Sequence, residues 1–400
     1  MTVGERHDRA VDSHRPMCQR RSRQSLPDIF VPMGGEWISK LGGRLRQTTG
    51  SGAASASRNS PAWANRRSGR KHAQAAHNLG DVLRAREDLA AAMVEYRFGL
   101  ALREALVAES PLPEHQRELA DSHNRIGDVK IAQGDLPGGL IAYRTALAIT
   151  QQLASSDPAN TTWQRDLAHG DQKVGDVLLE QGQLGPALQH YEHGRDLLLT
   201  LVAREPGNIG WSRGLSVMHE NVADAHRMQG KIGEALAAQH AAHELTTQLA
   251  ATEPGNTVYR RDLSISHSKL GNLRRAQGAL PAALVHYREA RAIAASLAEL
   301  DRSNSDWQRG LAITTEKVAS VLFAQRDFDG ALAAHRAALA IREASAAAHP
   351  ADPGWRRDVA QSRAAVAETT LAITGQSGGP AKTPARPPPA TLRHATDAGN

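Results

Sequence analysis

The chain has 400 residues, 40% of them hydrophobic but only 4% aromatic, with one cysteine, Cys18, and a formal charge of +6. A lone cysteine excludes an intrachain disulfide framework and a cysteine-based zinc site, and no basic-then-apolar leader or long apolar run is present, so the expected setting is soluble, reducing and cytoplasmic, with no membrane contact. The basic balance belongs to the ends: residues 1–71 carry 14 Lys/Arg against 5 Asp/Glu and residues 375–400 carry 3 against 1, which leaves residues 72–374 about five charges negative, a sign that repels phosphate and disfavours nucleic acid as a partner.

Residues 1–71 hold arginine clusters (Arg20, Arg21, Arg23) and a Gly/Ser/Ala stretch without a sustained period, and are expected to be mostly disordered, with a short helix near Trp37 to Leu45. From residue 72 a self-similar unit returns every 48 residues. Trp163, Trp211, Tyr259, Trp307 and Trp355 are each 48 apart, as are Arg165, Arg213, Arg261, Arg309 and Arg357, and Asn160, Asn208, Asn256 and Asn304. A unit of this size cannot bury its own apolar face and must lay it on a copy of itself, so the period implies a stacked array.

Within 161–208, Trp163, Leu167, Val174 and Leu178 share one face of a first helix of about five turns. Gln181-Gly182 ends it, and Gly134, Gly230 and Gly278 repeat that stop. A second helix follows, with Pro137, Pro186 and Pro281 in its first turn and an apolar stripe of Leu184, Leu188, Tyr191 and Leu198. Asp157-Pro158-Ala159-Asn160 and its copies read as turns that close each unit. Glu87 and Arg326 stand where the turn glycine is expected. Residues 355–374 read as a closing helix, and residues 375–400, with Pro387-Pro388-Pro389, as a second disordered tail.

Gly175, Leu178, Gly182, Ala187 and Tyr191 place small residues where two helices must approach closely. Gly127, Gly134, Gly139 and Tyr143 repeat the pattern, as do Gly271, Leu273, Gly278, Ala283 and Tyr287. This resembles the tetratricopeptide repeat over residues 72–374, although the unit is 48 residues where the usual one has about 34. It looks like the long-unit arrays of bacterial signalling and scaffold proteins. The resemblance implies an all-α, right-handed α-solenoid of about six helix pairs and a closing helix, whose first helices line a concave inner face.

Arg165, His169, Gln172 and Asp176 share a first-helix face offset from the core face. Stacking turns them into an arginine column (Arg117, Arg165, Arg213, Arg261, Arg309, Arg357) and an acidic-to-polar column (Asp81, Asp128, Asp176, Asp224, Asn272, Ser320). Two readings stand: a banded groove for a peptide or protein carrying acidic groups, or bracing of the stack, each arginine pairing with Asp166, Asp262, Asp358 or the acid that closes a unit. The aromatic column reads as packing between repeats. His123, His219 and His267 form a partial histidine column that Asp171 and Thr315 break, and His190/His193 and His240/His243 are i, i+3 pairs with which no carboxylate recurs, so no metal site is expected. Nor is there a phosphate loop or a nucleophile beside a base, so no enzyme, cofactor or small-molecule substrate is expected. Gln172, Glu220, Ser268 and Glu316 stand where chaperone-tail-binding arrays carry Lys and Asn, which disfavours that role. The reading is therefore a non-catalytic protein-interaction scaffold; the alternative is a regulatory repeat array whose enzymatic effector domain lies elsewhere.

Overall fold

The computed structural model describes residues 62–377; the expectations for residues 1–61, including the short helix at 37–45, and for residues 378–400 lie outside it. Among the described residues the secondary structure is helical, in thirteen helices: α1 (Ala62–Ala85), α2 (Leu89–Glu109), α3 (Pro113–Ala132), α4 (Leu136–Ser156), α5 (Thr161–Glu180), α6 (Leu184–Arg204), α7 (Ile209–Met228), α8 (Ile232–Thr252), α9 (Thr257–Ala276), α10 (Leu280–Leu300), α11 (Ser305–Ala324), α12 (Phe328–Ala348) and α13 (Pro353–Ser377). The thirteen helices agree with the all-α class expected from the sequence. Helix α1 begins at Ala62 and α13 runs to Ser377, so residues 62–71 and 375–377, expected to be disordered, are helical.

The described residues divide into two compact units, one ending at Leu245 and the other beginning at Thr246. In the first, α1 packs on α2, α3 on α4 and α5 on α6, while α3, α5 and α7 each pack on the helix before them. In the second, α9/α10 and α11/α12 are the pairs, α11 lies against α10 and α13 against α12. The helices of a pair run antiparallel: Asp81 of α1 meets Tyr96 of α2, and Gln74, earlier in α1, meets Arg103, later in α2.

Local chemistry sets the helix ends. Asn160, Asn208, Asn256 and Asn304 accept a hydrogen bond through Oδ1 from the backbone N–H of Trp163, Trp211, Tyr259 and Trp307, at 3.2, 3.2, 3.4 and 3.1 Å. The asparagine column is thus a set of helix N-caps rather than only the end of a turn, each satisfying one of the donors a helix start leaves open. At the other end Gly182 adopts φ +76° and its N–H bonds Leu179 O, while the N–H of Gln183 bonds Leu178 O, the paired closure of a left-handed cap. Glu87 (φ 64°) and Arg326 (φ 66°) take the same left-handed conformation and make the same two bonds, at the cost of a side chain crowded against its own carbonyl. Glu87→Gly and Arg326→Gly are each expected to raise unfolding free energy by about 0.5–1 kcal/mol, the steric relief outweighing the added freedom of the unfolded chain, as read from denaturant melts.

The apolar faces meet as the 3.6-residue period requires. Leu167, Val174 and Leu178 of α5 and Tyr191 and Leu198 of α6 are buried, and Val174, Leu178, Tyr191, Leu198, Trp211 and Met218 belong to one continuous core in the first unit. The aromatic column is uneven: Trp211 and Trp355 are buried, whereas Trp163, Tyr259 and Trp307 are half-buried.

Candidate functional site

The small residue, the second-helix aromatic and the acid of each repeat form one device. Tyr191 lies over Gly175 so closely that a Cβ there would stand 2.6 Å from the ring, and Gly80, Gly127 and Gly271 meet Tyr96, Tyr143 and Tyr287 in the same way. This approach carries each phenol to the residue after its glycine. Tyr96, Tyr143 and Tyr191 donate to Oδ1 of Asp81, Asp128 and Asp176 at 2.7, 2.6 and 2.8 Å, and Tyr287 donates to Asn272 at 2.8 Å. Burial raises the phenol pKa of Tyr96 and takes that of Tyr287 up to about 12, so both remain donors at neutral pH.

A second donor arrives on the same oxygen from the next first helix. Lys173 Nζ reaches Asp128 Oδ1 at 2.6 Å and Lys317 Nζ reaches Asn272 at 2.7 Å; Arg125 pairs with Asp81, and Asn221 Nδ2 lies 3.4 Å from Asp176. Lys173 also sits over the Tyr143 ring, 4.8 Å from its centroid. Burial works against ionisation of Asp128, but Lys173 and the Tyr143 hydroxyl prevail and hold its carboxyl below the usual carboxylate range. Asp81, Asp128 and Asp176 are therefore occupied inside the stack rather than offered as a free acidic band. Asp224 lies 3.6 Å from Arg227 of its own helix, Gln172 is half-buried, and Glu220 is buried, so it presents no open carboxylate to a partner.

The arginine column is braced unevenly. Arg117 Nε donates to Asp166 of the following repeat at 2.5 Å, and Arg309 Nε lies 3.4 Å from Asp358 and its guanidinium 4.3 Å from the Trp355 ring. In the earliest pair Arg70 meets Glu118 in the same way. These arginines brace. Arg165 pairs with its own neighbour Asp166 at 2.8 Å and remains 49% exposed, and Arg261 is exposed without a hydrogen bond or ion pair among the described residues.

The residue that interrupts the histidine column also gains a role. Asp171 of α5 is 3% exposed and accepts from His190 Nδ1 at 2.8 Å and His193 Nδ1 at 2.6 Å, so the carboxylate missing from the histidine pair comes from the facing helix. The three residues line a cavity of about 320 Å³ with Leu147, Gln151, Leu167 and Gln189. Among the described residues, no three His, Cys, Asp or Glu side chains are arranged to hold a metal ion. No helix among them is long and apolar enough to cross a membrane.

Residues 311–351, which span most of α11, the Arg326 turn and α12, match the family model of the tetratricopeptide repeat. The α11/α12 pair is thus a match to a tetratricopeptide repeat. First-helix starts recur at 48-residue steps from Pro113 through Thr161, Ile209 and Thr257 to Ser305 of the matched pair. Among solved structures, the chain is similar to BtubC (BKLC) from P. vanneervenii, at 17% identity over 77% of this chain and 99% of that chain with a TM-score of 0.46. The apo form of RapI is similar at 13% identity over 77% and 99%, TM-score 0.45, and the S. pombe nuclear import adaptor Nro1 at 9% identity over 74% and 99%, TM-score 0.47. No curated protein matches the chain in sequence.

Proposed function

We propose that the array is a non-catalytic interaction scaffold that binds a peptide or partner protein along the first-helix face, the inner face that the tetratricopeptide resemblance implies. One observation carries this reading: on that face the acids are spent on tyrosines and cations within the stack, while Arg165 and Arg261 remain exposed and outside the bracing between repeats. A partner that complements the face is therefore acidic, since an exposed guanidinium offers a planar pair of donors to a carboxylate.

The test is the double substitution Arg165→Gln with Arg261→Gln, which keeps length and polarity and removes charge. For a partner isolated on the immobilised wild-type chain, affinity should fall at least about tenfold, while the melting temperature stays within about 2 °C. Unchanged affinity would move the binding surface elsewhere on the chain, with the cavity lined by Asp171, His190 and His193 the next place to examine.

A further inference from the structure

The acceptor that braces the arginine column is present in some repeats and missing from others. At 48-residue steps after Glu118, that position reads Asp166, Gly214, Asp262, Gly310 and Asp358. Arg70, Arg117 and Arg309 each meet an acid there in the following repeat. The arginines whose following repeat carries glycine are Arg165 and Arg261, and neither makes that contact.

Packing does not account for these glycines. Neither has a positive φ, and both lie inside a helix, where glycine costs about 0.5–1 kcal/mol relative to alanine. A Cβ on Gly310 would meet nothing within 4 Å, and one on Gly214 would make ordinary contact with Leu198 at 3.5 Å. Each position thus keeps open space where its counterparts place a carboxylate.

We propose that Gly214 and Gly310 leave two notches in which Arg165 and Arg261 receive carboxylates from an acidic partner segment, the partner supplying the group that Asp166 and Asp358 supply within the chain. The inference rests on the proposed first-helix binding face and adds to it the chemistry and position of the anchor points. The partner is an acidic polypeptide rather than a nucleic acid, because residues 72–374 carry a net negative charge that disfavours a continuous phosphate backbone but not isolated carboxylates placed on arginines.

The experiment uses the full chain and a fluorescently labelled peptide of alternating Glu and Ser, with its Gln/Ser counterpart as control, in anisotropy titrations at low salt. The Glu peptide should bind and the Gln peptide should bind at least about tenfold more weakly. Gly214→Asp with Gly310→Asp fills both notches with the chain's own carboxylate, and should weaken the Glu peptide about tenfold while raising the melting temperature above that of Gly214→Ala with Gly310→Ala. The alanine pair should bind as the wild type does. Equal affinity for the two peptides, equal weakening by the alanine and aspartate pairs, or binding untouched by the aspartates would overturn the notch. So would tighter binding of a single-stranded oligonucleotide of equal charge that the aspartate pair abolishes. If the Arg165→Gln and Arg261→Gln chain loses its isolated partner while the aspartate pair retains it, the notch fails and the first-helix face stands; if both retain it, the face fails.

Discussion

Replacing Trp211 with alanine is expected to destabilise the first unit by about 3–5 kcal/mol. Its ring is 8% exposed and belongs to the same core as Leu198 and Leu201 of α6 and Leu215 and Met218 of α7. Removing it opens a hole between two successive repeats, and no single side chain in that row can refill it without leaving its own contacts. The same truncation at half-buried Trp163 should cost less. Denaturant melts of the two variants check the order; a loss below about 1 kcal/mol at Trp211 would show that the ring bears little of the interface.

Gly175→Ala should cost about 1–3 kcal/mol, although it adds one methyl group, because the new Cβ falls 2.6 Å from the fully buried Tyr191 ring. The chain itself shows the remedy. Where the aromatic gives way to Gln239 or His335, the glycine gives way to Ala223 or Ala319, and all four are buried. Combining Gly175→Ala with Tyr191→Gln should therefore be less damaging than the two losses summed, with a coupling of ~0.5–3 kcal/mol from a double-mutant cycle. Strict additivity would mean that Gly175 is not there to admit the ring.

The helices, their stops and the glycine-to-aromatic spacing were legible in the sequence because each depends on residues close together in the chain and returns in phase. The asparagines were legible as a column but not as caps, since the turn they close and the helix they open occupy the same few residues. The acids were harder. Asp128 and Asp176 look like surface charges because their partners lie on other helices, and the donor position reads Arg125, Lys173, Asn221, Lys269 and Lys317, a set unified by hydrogen-bonding capacity rather than by identity. Asp171 was invisible for a related reason: it breaks a periodic column, and only the antiparallel approach of α6 brings His190 and His193 to it.

The shared oxygen of Asp128 bears on how such a chain grows and shrinks. It is held by the tyrosine of its own pair and by a lysine that belongs to the next, so a pair is completed only when its successor has docked. Cutting the chain after α4 would leave that oxygen with one donor in place of two, Arg84 remaining on the other oxygen, and strip the outer side of its pair of apolar cover at once. Gain or loss of length over generations should accordingly proceed in whole steps of one unit, with each new end selected first for a residue at this position that tolerates solitude, as Ser320 at the last full pair, whose hydroxyl turns back to Lys317 O of its own helix, already does.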